Sequence, residues 1–295
     1  MATSSVTVVR TSRARWWREV GWRHVVGAAA LVFALFPIVY VISASVSVRG
    51  TLSAANSLFG TFTLDQYVNL LHDPLHPYVN WFVNTVVIAS VTAVGTVLLG
   101  AAAAYAFSRF RFRGRRGGLL TLLLIQMFPQ LLAYVAIFLL LIALENVFPI
   151  LGRDSQVGLI MVYLGGALGV NTYLMYGFFN TIPRELDEAA MIDGASHAQI
   201  FFGIILRLTA PILAVVGLLS FIASFNDYVL ASVLLNSPDK QTLAVGLYAF
   251  VSRQFAQNWG VFAAGAVLAA IPIVLLFQFL QRYIVSGLTA GSVKG

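Results

Sequence analysis

The segment NTIPRELDEAAMIDGASHAQIFFGIILRL, from Asn180 to Leu208, places four of the chain's eleven acidic residues, Glu185, Asp187, Glu188 and Asp193, within nine positions. Carboxylates crowded in this way can accept charge-assisted hydrogen bonds from the basic groups of another protein, or stand in water as ordinary solvated charges. A second stretch, HDPLHP, offers His72, Asp73 and His76 as metal ligands. Pro74 and Pro77 forbid the regular helix that would align the two imidazoles, and no fourth ligand is near, so a surface turn without metal is expected. The other histidines are His24 and His197, and there is no nucleophile elbow and no HExxH pair, so no catalytic residues are expected. No GxxxxGK[ST] loop occurs either, so if this protein's work needs ATP, another chain must bind it.

The acids need an element to hold them. Thr181 can cap a helix with Pro183 near its first turn, and Glu185, Asp187 and Glu188 then crowd the positive end of its dipole. Helical spacing sets Ala189 and Ala190 on a face flanked by carboxylates, and Gly194 ends the helix, either as a left-handed stop or as a point of close approach. Ser196 and Gln199 have capping-box spacing for a second helix, whose apolar positions Ile200, Phe201, Ile204, Ile205 and Leu208 continue toward the next apolar stretch. A short helix, a sharp turn and a second helix make a surface that another protein can approach closely.

The surroundings of that surface are greasy. The 295 residues are 59% hydrophobic and only 10% charged, with a mean hydropathy of +0.87. Six stretches, near 25–47, 82–106, 119–143, 156–179, 209–232 and 261–284, are long and apolar enough to cross about 30 Å of hydrocarbon as helices. The expected class is therefore an all-α membrane protein with six transmembrane helices.

The net charge of +7 would suit nucleic acid, but the positions of the basic residues argue otherwise. Arg10, Arg13, Arg15, Arg18 and Arg23 precede the first span, RFRFRGRR (Arg109 to Arg116) joins the second and third, Arg184 and Arg207 flank the acidic segment, and Arg282 and Lys294 follow the last span. Arg49, Arg153, Lys240 and Arg253 are spread over the alternate loops. By the positive-inside rule both termini and the acidic segment are cytoplasmic, and the basic loop is a topology signal and a contact for anionic lipid, with no nucleic-acid partner. The chain contains no cysteine, which excludes disulfides and thiolate chemistry.

Polar groups inside the spans are costly there and tend to face a bundle interior or a wet path. Asn84, Gln126, Asn171, Asn226 and Asp227 form this set; Asn226 and Asp227 either bond neighbouring helices or line a solute pathway. Pro129, Pro211 and Pro272 lie in or at the edges of spans, consistent with kinks around a cavity.

EAAMIDG, Glu188 to Gly194, resembles the EAA motif of permease subunits of bacterial ABC importers: Glu-Ala-Ala, three residues, Gly, nine residues, then Ile-x-Leu-Pro. Ile204-Ile205-Leu206 falls in register, but Arg207 stands where the motif has proline. TLAVGLYAF, WGVFAAGAVLAAIPI and QRYIVSGLTAGSVKG extend the resemblance to MalG-type permeases of maltose and maltodextrin importers. The resemblance implies a type I ABC importer permease fold, with N and C termini cytoplasmic, in a bacterial inner membrane. It divides the chain into a basic tail (1–24), a six-helix permease domain (25–285) whose coupling segment is 183–207, and a C-terminal tail (286–295).

The resemblance also implies roles. Glu185, Glu188, Ala189, Ala190, Asp193 and Gly194 would form a coupling helix docked on an ATPase subunit; Gly287, Gly291, Ser292 and Gly295 would reach the ATPase interface; and Arg253, Gln254, Gln257 and Asn258 would face a sugar-binding protein outside the membrane. The expected partners are a second, non-identical permease, two ATPase subunits carrying ATP and magnesium, and that binding protein, with no cofactor on this chain. The expected function is ATP-driven import of maltose- or maltodextrin-like oligosaccharides. The alternatives are a permease for another sugar or polyol, such as trehalose or glycerol phosphate, or an ion-coupled secondary carrier.

Overall fold

The computed structural model describes residues 17–48, 59–60, 62–252 and 258–290. Among these there are helices and turns but no strand; a helix satisfies its backbone hydrogen bonds within one segment, away from water. After a π-helical turn at Trp17–Gly21, α1 runs Trp22–Ser45, α2 Asp65–His72, α3 Tyr78–Arg109, α4 Arg115–Gln126, α5 Gln130–Glu145 and α6 Gln156–Phe179. Then come α7 (Glu185–Ile192), α8 (His197–Leu208, with a π-helical stretch at Phe201–Ile205), α9 (Ala210–Asn226), α10 (Val229–Leu234), α11 (Leu243–Tyr248) and α12 (Trp259–Ala290).

Four helices are long and apolar enough to cross a membrane, and up to six crossings result if each of two bent pairs is one span. The expected stretches 82–106, 156–179 and 261–284 fall within α3, α6 and α12. The stretch 119–143 is broken instead: α4 and α5 meet at 96°. Pro129 lacks an N–H and crowds the residue before it, which ends α4 ahead of it. The stretch 209–232 is likewise two helices, α9 and α10, parted at Asp227 in extended conformation (ψ 121°).

The 32-residue α3, about 48 Å long at 1.5 Å per residue, is the central post. It packs against α6 and α9, while α1 leans on α12 and otherwise shows apolar side chains to its surroundings. Small buried residues on α3, Ala89, Ala93, Gly100, Ala101 and Ala104, let the neighbouring helices come close. Gly169 of α6 serves the same end against α4, since a Cβ there would lie 2.6 Å from Gln126 Cγ and 2.8 Å from the Leu122 carbonyl oxygen.

At the end of the bundle away from the arginine-rich loop, short elements fold over the core. Trp81 Nε1 donates to the Pro238 carbonyl at 2.7 Å, Asn84 Nδ2 to the carbonyls of Asp239 (2.8 Å) and Gln241 (3.0 Å), and the Leu243 N–H to Thr85 Oγ1 at 2.7 Å. Asn84 therefore ties a loop to the head of α3 and does not point into the bundle. A buried cluster of Leu70, Tyr78, Trp81, Leu243, Leu247 and Phe250 lies beneath this cover.

Candidate functional site

The arginine-rich end carries the acidic segment. Its helix α7 starts after Arg184, with Glu185, Asp187 and Glu188 in the first turn, where the dipole favours anions. Thr181 is not its cap: its hydroxyl donates back to the Phe178 carbonyl at 2.7 Å and so closes the end of α6. Three residues separate it from the first helical residue, too far for a cap. Gly194 does stop the helix, at φ +87° with no atom within 4 Å of a would-be Cβ, so its backbone angle and not crowding requires glycine. The Ala195 N–H donates to the Ala190 carbonyl at 2.9 Å, which completes the turn. The capping box forms: the Gln199 N–H donates to Ser196 Oγ and the Ser196 N–H to Gln199 Oε1.

The carboxylates do not share one fate. Glu185, Glu188 and Asp193 are exposed beside Ala189, with Ala190 half-buried and Gly194 at the open tip. Asp187 turns inward, and its Oδ2 meets Arg109 Nε at 2.5 Å with both side chains only 6% exposed. Arg109 is the last residue of α3; its Nη2 donates to the Ile182 carbonyl at 3.2 Å, and Arg184 Nη2 donates to the Ser108 carbonyl at 2.6 Å. Aromatic contacts extend the joint, Phe110 to His197 at 5.1 Å and Tyr105 to Phe201 at 5.2 Å between ring centroids. Leu186, Met191 and Ile192 point outward, Ile192 with 87% of its surface exposed. An eight-residue helix showing three apolar side chains among acids is a surface suited to being covered. The apolar count of ELDEAAMI was the available signal for Ile192, whereas Arg109 lies too far away in sequence to be paired with Asp187 by spacing.

Arg207 occupies the last turn of α8, a favourable place for a cation near a helix C-terminus. Without a proline there, α8 runs on to Leu208, and the chain bends by 81° at Thr209 before Pro211 opens α9.

A cavity of about 960 Å³ lies among α3, α4, α5, α6 and α9. Its walls are mostly apolar, with Gln126, Tyr134, Tyr163, Asn171, Ser220 and Asp227 as polar points. Asp227 Oδ1 accepts from Tyr163 Oη and from the Ala231 N–H, each at 3.0 Å. Asn171 Nδ2 donates to Ser220 Oγ at 3.4 Å, and Gln126 Nε2 to the Gly166 carbonyl at 2.5 Å. Thr92 also lines this space, its buried hydroxyl without a partner. The structure brings Asp227 to the cavity but leaves Asn226 exposed and off its wall.

Of the expected contact loop, Arg253, Gln254 and Gln257 lie outside the described residues, while Asn258 Oδ1 accepts the Val261 N–H at 3.2 Å and helps to start α12. Of the expected tail, Gly287 belongs to α12, and Gly291, Ser292 and Gly295 lie outside the described residues. His76 Nδ1 pairs with Asp73 Oδ2 at 2.7 Å and His72 Nδ1 with the Val68 carbonyl at 3.0 Å, and no group of three metal-ligating side chains occurs among the described residues. Burial alone would raise the Asp73 carboxyl, but hydrogen bonds from His76 and the Leu75 N–H hold it below its ordinary range.

Residues 96–290 match the family described as the binding-protein-dependent transport system inner membrane component. The maltodextrin transport system permease protein MdxG of Bacillus subtilis (strain 168) is 43% identical over 261 residues, 88% of this chain and 91% of that protein. The galactooligosaccharides transport system permease protein GanQ of the same organism is 41% identical over 90% of this chain and 92% of its own length. The maltose/maltodextrin permease protein MalG of Escherichia coli (strain K12) is 42% identical over 79% of this chain and 78% of its own. A crystal structure of a bacterial ABC transporter involved in the import of the acidic polysaccharide alginate aligns with a TM-score of 0.76 at 26% identity, covering 92% of this chain and 98% of that one.

Proposed function

The chain belongs to the binding-protein-dependent transport system inner membrane component family, and from that premise we propose that it is a permease subunit of an ABC importer for maltodextrin-like oligosaccharides. It is a multi-pass inner-membrane protein and not an enzyme; a separate subunit hydrolyses ATP. The observation that carries the mechanism is α7, an exposed acidic and apolar helix clasped to the foot of α3, the helix whose Thr92 lines the cavity.

In this reading the arginine-rich end and both termini are cytoplasmic and the chain crosses the membrane six times, with α4–α5 as one bent crossing. Glu185, Glu188, Ala189, Ala190, Asp193 and Gly194, joined by Leu186 and Ile192, dock on one of two ATPase subunits, which carry ATP and magnesium. A second, non-identical permease completes the pathway, and Asp227 lines this chain's side of it. Residues 253–258 receive an extracytoplasmic sugar-binding protein, and the tail from Gly287 to Gly295 reaches the ATPase interface. Closure of the ATPases moves α7 and opens the pathway outward; hydrolysis resets it. The support is the match between α7 and the EAA motif, the polar points of the cavity and the sugar transport named for the relatives. The galactooligosaccharide relative, nearly as similar as the maltodextrin one, favours a second reading within the class, a permease for other oligosaccharides.

The test is reconstitution of the chain with its partner permease, ATPases and binding protein in vesicles. Labelled maltodextrin should enter only with ATP and binding protein present. Uptake that persists without ATP on an ion gradient would overturn the importer reading, and uptake of galactooligosaccharide in preference to maltodextrin would select the second.

A further inference from the structure

We infer that the buried Arg109–Asp187 pair is the link through which α7 moves the wall of the cavity, with Asp187 as a positioning residue that drives α3 and not α9. The inference rests on the proposed docking of α7 to an ATPase and adds the route that its motion takes.

Chain connections leave α7 at both ends, backward through 180–184 to α6 and forward through Gly194, in left-handed conformation, then along α8 to an 81° bend at Thr209 before reaching α9. On the forward route the turn and the corner interrupt the helices. A third route crosses directly to α3. Asp187 meets Arg109 at 2.5 Å, and Arg184, immediately before the helix, donates to the carbonyl of Ser108 in the last turn of α3 at 2.6 Å. From Arg109 the rod of α3 continues without a break to Thr92 on the cavity wall, 17 residues and about 25 Å away.

The pair is built to hold under load. Both side chains are 6% exposed, so parting them would leave two unscreened charges out of water. Arg109 Nε nevertheless makes no aligned hydrogen bond, and Asp187 Oδ1 is buried without a partner. The contact is therefore held chiefly by charge, which depends little on angle, and α7 can pivot on α3 without letting go. The three exposed acids of the same segment remain free to face the ATPase.

The chain contains no cysteine, so a single introduced one reports its own position. In the reconstituted complex, Thr92→Cys reports α3 and Ala223→Cys reports α9, both on the cavity wall. The readout is the ATP-dependent change in the rate of modification by a small methanethiosulfonate. In an Asp187→Asn background the change at position 92 should fall about tenfold, within the usual range of coupling between distant sites, while the change at 223 persists. The double swap Arg109→Asp with Asp187→Arg should restore the response at 92.

Equal responses at 92 with and without Asp187→Asn would overturn the proposal. So would loss of both responses in an assembled complex, because that marks a general structural role. If Asp187→Asn does not assemble, the double swap and Arg109→Lys decide: either one assembling without the response at 92 overturns the link, and recovery of that response supports it. If neither reporter responds to ATP in the parent complex, the docking of α7 fails, and this inference falls with it.

Discussion

Asp154 Oδ1 accepts the backbone N–H of Ser237 at 2.9 Å, and the same oxygen takes the Asn236 N–H at 2.9 Å. Asp154 Oδ2 accepts from Ser237 Oγ and lies 3.3 Å from Lys240 Nζ, which also donates to the Asp154 carbonyl at 3.0 Å. One side chain thus ties the turn before α6 to the segment between α10 and α11. Asp154 holds φ +54°, a left-handed angle that aspartate tolerates better than most residues.

Asp154→Asn keeps the local backbone preference but loses the charge, and Asp154→Ala loses the acceptors too. We expect a loss of stability of about 1–3 kcal/mol, larger for alanine, seen as a lower melting temperature in detergent. Equal melting of the alanine variant and the parent would refute the clasp.

The same residue gives a pH dependence. Burial raises its carboxyl, but the hydrogen bonds from Ser237, Asn236 and Lys240 outweigh this and bring it down from 3.8 to about 2. A carboxyl depressed in the folded state stabilises above its unfolded value and loses that contribution as pH falls through the folded one. Between about pH 4 and pH 2 the clasp should loosen. Protease cutting within 235–241 should rise over that window in the parent, and Asp154→Asn should show the fast cutting already at neutral pH.

Ile192 projects from the tip of α7 almost fully exposed. If an ATPase covers it, Ile192→Asp should weaken assembly by about 2 kcal/mol, as for an apolar anchor, with no change in the melting of the isolated permease. Co-purification of the ATPase with each variant measures this, and Glu188→Lys provides the charged comparison. Recovery equal to the parent in both would refute docking on this face.

At the other end, Gly246 lies under the indole of Trp81, where a Cβ would sit 2.1 Å from Cδ2. Gly246→Ala must displace a side chain that is 2% exposed and donates to Pro238. A loss of about 1–3 kcal/mol is expected, with a red shift of tryptophan emission. An unchanged spectrum and melting point would show that the indole moves freely.

Much of this was legible in the chain itself. Long apolar runs specify spanning helices because lipid leaves the backbone no other partners, so α3, α6 and α12 fall over their expected stretches. Gly194 and the Ser196–Gln199 box acted as read, being local devices whose partners lie within a few residues. Thr181 was misread because a threonine near a helix start can also bond backward, and here the end of α6 competed successfully.

What the sequence alone determined is what depends on neighbours along the chain: helices, stops, a membrane setting and a crowded acidic segment. The tertiary structure alone decided which acid is turned inward. Asp187 is set apart from Glu185 and Glu188 by its pairing with Arg109, 78 positions earlier, and the two meet because α3 and α6 pack side by side and deliver their ends to one place. Periodicity cannot register such a contact, since the energy that fixes it arises between helices after they have formed.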